Sequence, residues 1–315
     1  MENKLIITDY RFKLSANCIC ITEVTEWLGA NLNKVRTRQH ENLKNNSTKG
    51  QLSPKALQRI KKAVNWLIIS SEQKQSFSHQ AQKKHKFKVN FITLTIPPQK
   101  KGLVKEKQFK ELLNTWLTYH RKYNKLNNYV WKLEYHKDGR LHIHLTTDTF
   151  IHWQKIRDSW NAILKRASLL EQHNAKFNNY NPNSTDVHAV KKIKKIGAYI
   201  AKYMAKNNPI NEQFRGRVWG CSSKITQVIN NVVYVCPSKI YEVTRHLQKS
   251  KAKYLKVESN PNQFGTRYKV ADIWLMNVSD WISLKGGYLY SLFQDLIYFL
   301  RKETSRDSQL EMKLI

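Results

Sequence analysis

Two histidines separated by one residue, His142-Ile143-His144, sit in the strand-like run Leu141–Thr147. In a strand, alternate side chains leave the same face, so both imidazoles point the same way. Two neutral imidazoles at that spacing can chelate one divalent cation. A run of similar character, Tyr129–His136, precedes them and is joined to them by Lys137-Asp138-Gly139. That sequence suits a three-residue hairpin loop, a type I turn closed by a left-handed glycine. The loop sets His136 opposite Arg140, Tyr135 opposite Leu141 and Glu134 opposite His142. A carboxylate then joins the two histidines on one face, a mixed set suited to Mg²⁺ or Mn²⁺ with positions left for phosphate and water. A two-residue loop at Asp138-Gly139 would instead bring Glu134 opposite Ile143 and dissolve the set. His136 falls on the same face and is a lower-ranked substitute ligand.

A second constellation lies at Lys191–Asn207, read as a helix. At 100° per residue, Ile193, Ile196, Gly197, Ile200 and Met204 form an apolar stripe. Tyr199 and Tyr203 share the other face with Lys192, Lys195, Lys202 and Lys206. Each tyrosine is followed three residues later by a lysine, a doubled Y-x-x-K. A phenol with an ordinary pKa near 10 is a weak nucleophile at neutral pH. Flanking ammonium groups favour the phenolate and also hold phosphate.

The elements that must position these groups alternate along the chain. Ser53-Pro54 reads as an N-cap and first helical residue of a helix near 54–70. The segment Ser71–Lys86 reads as a charged linker, and Phe87–Ile96 as a central strand. A helix through Phe109, Leu112, Leu113, Trp116 and Leu117 leads to the hairpin. Another carries Trp153, Ile156, Trp160, Ile163 and Leu164. Asn174–Ser184 reads as a loop and Asp186–Val190 as a short strand. At the ends of the chain, Asn17–Val24 and Thr226–Val235 read as strand-like, with a helix near the C-terminus. The pattern is α+β, an antiparallel sheet with flanking helices. Three parts are expected: an N-terminal extension over 1–84, a catalytic domain over 85–210 and a C-terminal region over 211–315 packed on it.

Composition narrows the partners. The 315 residues carry 55 Lys+Arg against 23 Asp+Glu, a formal net charge of +32, with 41% hydrophobic residues. A folded chain with that surplus calls for a polyanion, most commonly nucleic acid. The most apolar stretch, Trp281–Leu300, is interrupted by Lys285, Gly286, Gly287, Gln294 and Asp295, so no membrane span is expected. The N-terminus leads into no signal-peptide core, and Cys18, Cys20, Cys221 and Cys236 form neither a disulfide scaffold nor a zinc ribbon. A reduced cytoplasmic setting is the expectation. Without a G-x-x-x-x-G-K-[ST] run, the chain carries no P-loop motor signature.

Taken in order, Phe91-Ile92-Thr93-Leu94-Thr95, then Glu134 with His142-Ile143-His144, then Tyr199-Ile200-Ala201-Lys202-Tyr203-Met204-Ala205-Lys206 resemble the three motifs of HUH endonucleases. Two tyrosines four apart resemble the two-tyrosine rolling-circle replication initiators of small bacteriophages and related plasmids. Arg217-Val218-Trp219-Gly220-Cys221-Ser222 is similar to a segment downstream of the tyrosines in some members. The resemblance, over roughly residues 87–207, implies an HUH nuclease or RRM-like core and a metal centre of His142 and His144 with Glu134 as third ligand. It implies Tyr199 and Tyr203 as nucleophiles, Lys202 and Lys206 on the scissile phosphate, and Thr93 and Thr95 in structural roles beside the hairpin. It also implies nicking and rejoining of one strand of single-stranded or supercoiled origin DNA through a 5′-phosphotyrosine, with a separate helicase and polymerase of the host. His152 and His188 are read as surface or packing residues. The alternatives are a single-tyrosine HUH transposase, a relaxase-like enzyme or a non-catalytic basic nucleic-acid-binding protein.

Overall fold

The computed structural model describes residues 6–27, 52–78, 82–99, 104–136, 138–189, 217–231, 233–234, 237–248, 250, 252–259, 267–276 and 278–302. The chain divides into two compact units, one from residues 1–48 and 227–298, the other from 49–226 and 299–315. The architecture is α+β, with antiparallel sheets and flanking helices.

The unit holding 49–226 begins with helix α1 (Pro54–Ser70). Ser53 caps it, accepting a hydrogen bond from the Ala56 amide at 3.1 Å, and Pro54 occupies the first turn where no donor is needed. Ile60, Ala63, Val64 and Leu67, at helical spacing, are all fully buried. The following stretch is not the linker its Lys and Gln content suggests. It forms a hairpin of β3 (Lys74–Ser78) and β4 (Lys83–Phe87), paired from Lys74↔Phe87 to Ser78↔Lys83. Main-chain pairing holds this ribbon together, so it has little of the apolar alternation by which a strand is read from sequence.

The main sheet contains β5 (Asn90–Thr95), β6 (Tyr129–Tyr135), β7 (Leu141–Thr147), β8 (Thr185–Ala189) and β9 (Trp219–Cys221), in the order β8-β5-β7-β6-β9. Every pairing is antiparallel. On one face Ile92, Leu94, Leu133, Ile143 and Leu145 are fully buried. Helices α2 (Glu106–Asn124) and α3 (Trp153–Arg166) pack together. Trp160 of α3 donates its indole N–H to the Thr95 carbonyl at 2.9 Å and meets Phe109 of α2 edge-on. At the rim, Tyr135 reaches Glu106 of α2 through its hydroxyl at 3.1 Å. A short helix, α4 (Glu171–Phe177), takes up the first part of the segment read as a loop over Asn174–Ser184. Gly220 of β9 lies under the Trp131 indole, where an added Cβ would come within 2.8 Å of Nε1.

Helix α5 (Ser223–Asn230) and the two-residue strand β10 (Val233–Tyr234) replace the strand expected over Thr226–Val235. Ile225, Val228 and Ile229 are β-branched, which favours a strand by composition, yet their i, i+3, i+4 spacing buries all three along one helical side. In the other unit, β1 (Ile6–Ser15) pairs with β2 (Cys18–Trp27) across the turn Ala16-Asn17. With β11 (Lys253–Ser259) and β12 (Arg267–Leu275) they form a sheet ordered β10-β1-β2-β12-β11. The sequence pattern marks β2 and does not mark β1. Helices α6 (Pro237–Gln248), α7 (Val278–Ser283) and α8 (Tyr288–Arg301) complete the chain. The core of this unit includes Phe12, Ile19, Trp274 and Trp281, the last stacked on Phe293 at 3.9 Å.

One buried group between α2 and α3 makes the fold pH-sensitive. His120 is fully buried, with Nε2 at 2.8 Å from Ser159 Oγ and Nδ1 at 2.9 Å from Asn124 Nδ2. Ser159 donates to the Ile156 carbonyl, so its oxygen accepts from the imidazole, and the Asn124 amide donates to Nδ1. Both bonds suit a neutral ring. Burial, with Lys155 adding to it, pushes the pKa down to about 4. The unfolded imidazole takes up a proton near pH 6.5. This contribution is therefore complete above pH 6.5 and is lost as pH falls from there toward 4. Urea unfolding should show about 2 kcal/mol less stability at pH 5 than at pH 7 from this residue. In His120→Gln that part of the slope should vanish.

Candidate metal centre

The hairpin forms with the three-residue loop. The His136 amide donates to the Arg140 carbonyl at 2.7 Å, and the Gly139 amide to the His136 carbonyl at 2.9 Å. Gly139 sits at φ +80°, a conformation glycine adopts without steric cost. Asp138 accepts from the Arg140 amide at 3.1 Å. The resulting register pairs Glu134 with His142 and Lys132 with His144. On the other side of β7, Thr95 pairs with His142 and Thr93 with His144. Strand alternation thus stacks two rows on one sheet face, Thr93–His144–Lys132–Trp219 and Thr95–His142–Glu134.

Within these rows three donor atoms converge. His142 Nε2 and His144 Nε2 lie 3.0 Å apart, and Glu134 Oε2 lies 3.6 Å from the first and 3.5 Å from the second. Among the described residues this is the group of His, Cys, Asp and Glu able to hold a metal ion. Such separations are those of neighbouring ligands around a cation with bonds of about 2.1 Å. The donor set of two imidazole nitrogens and one carboxylate oxygen fits a divalent ion of intermediate hardness. All three side chains are largely withdrawn from water, at 11%, 16% and 13% exposure for His142, His144 and Glu134.

The surroundings hold the ligands in place. Thr93 Oγ1 lies 3.2 Å from His144 Nδ1. With Nε2 as the ligand atom, Nδ1 carries the proton and donates it to the threonine. A metal-bound imidazole is commonly fixed in this way. Lys132, 1% exposed, donates from its ammonium to Glu134 Oε1. Burial alone would raise the Glu134 pKa, but hydrogen bonds from His142 and His144 and the Lys132 charge outweigh it. The carboxyl is held well below the ordinary carboxylate range and is ionised at neutral pH.

Other candidates lie elsewhere. His136 is half-exposed and pairs with Asp138 at 3.2 Å, its ring 5.9 Å from that of His142 and outside the converging set. His188 is exposed on β8 beside Asp186, with Phe91 between it and His144. His152 precedes α3 and lines a groove of about 600 Å³ with Tyr119, Lys155 and Arg166, which contains none of the converging residues. Tyr199, Tyr203, Lys202 and Lys206 lie outside the described residues. Lys132 is a member of the site that the sequence reading does not single out. Its signal is a lysine two residues before Glu134, hence on the same strand face, inside the otherwise apolar run Tyr129–Leu133.

A strand-borne His-His-Glu set on an antiparallel sheet defines a class of protein equipped to hold a divalent metal. Residues 89–208 match the family model of the replication-associated protein ORF2 and its relatives. The match supports a replication-initiator family for this part of the chain and implies contact with DNA. It covers the converging residues and the doubled Y-x-x-K together. No curated protein and no solved structure matches the chain. Among the described residues no helix is long and apolar enough to cross a membrane.

The Thr93 hydroxyl gives a direct test of how the site is held. Thr93→Val keeps the shape and removes the acceptor for His144 Nδ1. Isothermal titration with Mn²⁺ should show about a tenfold weaker site in this variant. Unchanged affinity would mean that the hydroxyl does not orient the ring.

Proposed function

We propose that the protein initiates rolling-circle DNA replication by metal-dependent, site-specific nicking and rejoining of one DNA strand. The observation that carries this reading is the convergence of His142, His144 and Glu134 within the segment similar to replication-associated proteins. These three residues would hold Mg²⁺ or Mn²⁺, with Thr93 and Lys132 setting the orientation of His144 and Glu134. When bound, the ion neutralises charge that builds on the scissile phosphate.

The remaining work belongs to the chain's own residues. Tyr199 or Tyr203 attacks the scissile phosphorus in line through its phenolic oxygen. The Tyr O–P bond forms, the bond from phosphorus to the 3′ oxygen breaks, and the phenolic proton ends on the departing 3′ oxygen. The products are a 5′-phosphotyrosine and a 3′-hydroxyl that primes a polymerase. Lys202 and Lys206 favour the phenolate and hold the phosphate. No nucleoside triphosphate is consumed, because the phosphotyrosine retains the phosphodiester energy for rejoining. The second tyrosine, one helical turn or about 6 Å along the axis, attacks at the next nick while the first still holds DNA. The strand must be single or unwound to reach the site, so a helicase and a polymerase of the host act alongside it, in the cytoplasm. The positive charge tracks the strand's backbone, with aromatic side chains stacking on its bases.

The reading is tested by incubating the protein and Mn²⁺ with single-stranded and supercoiled DNA of its own replicon, followed by a denaturing gel and peptide mapping. A covalent adduct on Tyr199 or Tyr203 is expected, lost with EDTA and in His142→Ala/His144→Ala. Tyr199→Phe and Tyr203→Phe singly should keep some first-strand cleavage, and the double variant none. Full cleavage in the double variant, or retention of DNA that is salt-sensitive and never covalent, would overturn the assignment. The second outcome is that of a basic binding protein.

A further inference from the structure

A lysine that is 1% exposed is unusual unless its charge is answered, and Lys132 answers it on a candidate metal ligand. We propose that Lys132 is a positioning residue that sets both the geometry and the charge of the metal centre: its ammonium takes Glu134 Oε1, leaves Oε2 to the cation and cancels the carboxylate's charge. This inference rests on the reading of His142, His144 and Glu134 as metal ligands.

The geometry follows from the sheet. Lys132 and Glu134 are alternate residues of β6 and share a face, with His144 and His142 as their cross-strand partners. Glu134 Oε2 faces both Nε2 atoms at 3.5 and 3.6 Å, while Oε1 accepts from Lys132. A carboxylate so divided offers one oxygen to a metal, not two. The charges follow as well. Two neutral imidazoles, one carboxylate and one ammonium sum to zero, whereas the three ligands alone would sum to −1. A neutral set attracts a divalent ion less strongly than an anionic one, and the bound ion keeps more of its charge for a phosphate oxygen. The same pairing answers the Glu134 charge when no cation is bound, which lets the buried set form before the metal arrives.

The experiment is a charge series read as Mn²⁺ affinity of the full chain by isothermal titration, without DNA and without turnover. Lys132→Met leaves the set at −1, Glu134→Gln takes it to +1, and the double variant Lys132→Met/Glu134→Gln returns it to zero. Relative to the native chain, Lys132→Met should bind Mn²⁺ at least about tenfold more tightly and Glu134→Gln at least about tenfold more weakly, since one unit charge about 5 Å from a divalent ion is worth that much even at the dielectric constant of water. The double variant should bind within a few-fold of the native chain. A merely structural lysine predicts the opposite for Lys132→Met, a looser site. If that variant does not fold, the comparison of Glu134→Gln with the double variant still reads the sign, because adding Lys132→Met to Glu134→Gln should tighten binding. Binding in the native chain that disappears in His142→Ala/His144→Ala, with a flat or inverted charge series, would overturn the role of Lys132 alone. No Mn²⁺ binding by the native chain would overturn the metal reading and this inference with it.

Discussion

The register of one hairpin decides what the main sheet can do. Strand side chains alternate with a period of two, so a slip of one residue between β6 and β7 would send every side chain of one strand to the wrong face. The three-residue loop prevents that slip. Its left-handed residue is Gly139, and the Asp138 side chain ties back to the Arg140 amide. With the register fixed, Leu133, Ile143 and Leu145 fall on the buried apolar face, and Lys132, Glu134, His142 and His144 on the other. The apolar face in turn makes the register costly to change. Burying Leu133 and Ile143 contributes on the order of 2 kcal/mol each, which a slipped strand would forfeit.

The candidate site is largely legible in the sequence because its chemistry is local. The loop Lys137-Asp138-Gly139 encodes the turn, and the turn encodes which residue faces His142. The Ser53-Pro54 start of α1 is legible for the same reason, since capping is decided within a few residues. Lys132 escapes because lysine is so commonly a solvated residue that its place on the ligand face carries no weight. What buries it is Glu134 and the cross-strand neighbours, information the sequence holds only after the register is known. The β3–β4 ribbon escapes for the opposite reason: its pairing is main-chain and its side chains carry little of the pattern that marks a strand. In α5 the β-branched content of Ile225, Val228 and Ile229 points to a strand, and tertiary burial decides for a helix.

Sheet order is the least legible feature. β1 and β2 are adjacent in the chain and pair through a two-residue turn, yet β12 joins β2 from across more than two hundred residues, with Lys269 opposite Val24 and Leu275 opposite Cys18. No turn chemistry announces such a contact. The same holds for β9, whose three residues become a strand because Val130, Trp131 and Lys132 offer an open edge. Gly220 is the local trace of that docking, since the Trp131 indole occupies the space a side chain would need.

The distribution of charge separates two tasks that a metal centre for nucleic acid must perform. A net charge of +32 is ample to gather a polyanion, and that attraction weakens as salt screens it. The His-His-Glu set adds nothing to it, because Lys132 and Glu134 cancel within the site. Attraction and coordination therefore respond to different variables, the first to ionic strength and the second to the identity of a few buried atoms. An anionic centre would have repelled the phosphate that the surface draws in. A cationic one would have repelled the metal. The neutral set avoids both, and the residue that makes it neutral is the one whose burial looks least reasonable in the sequence.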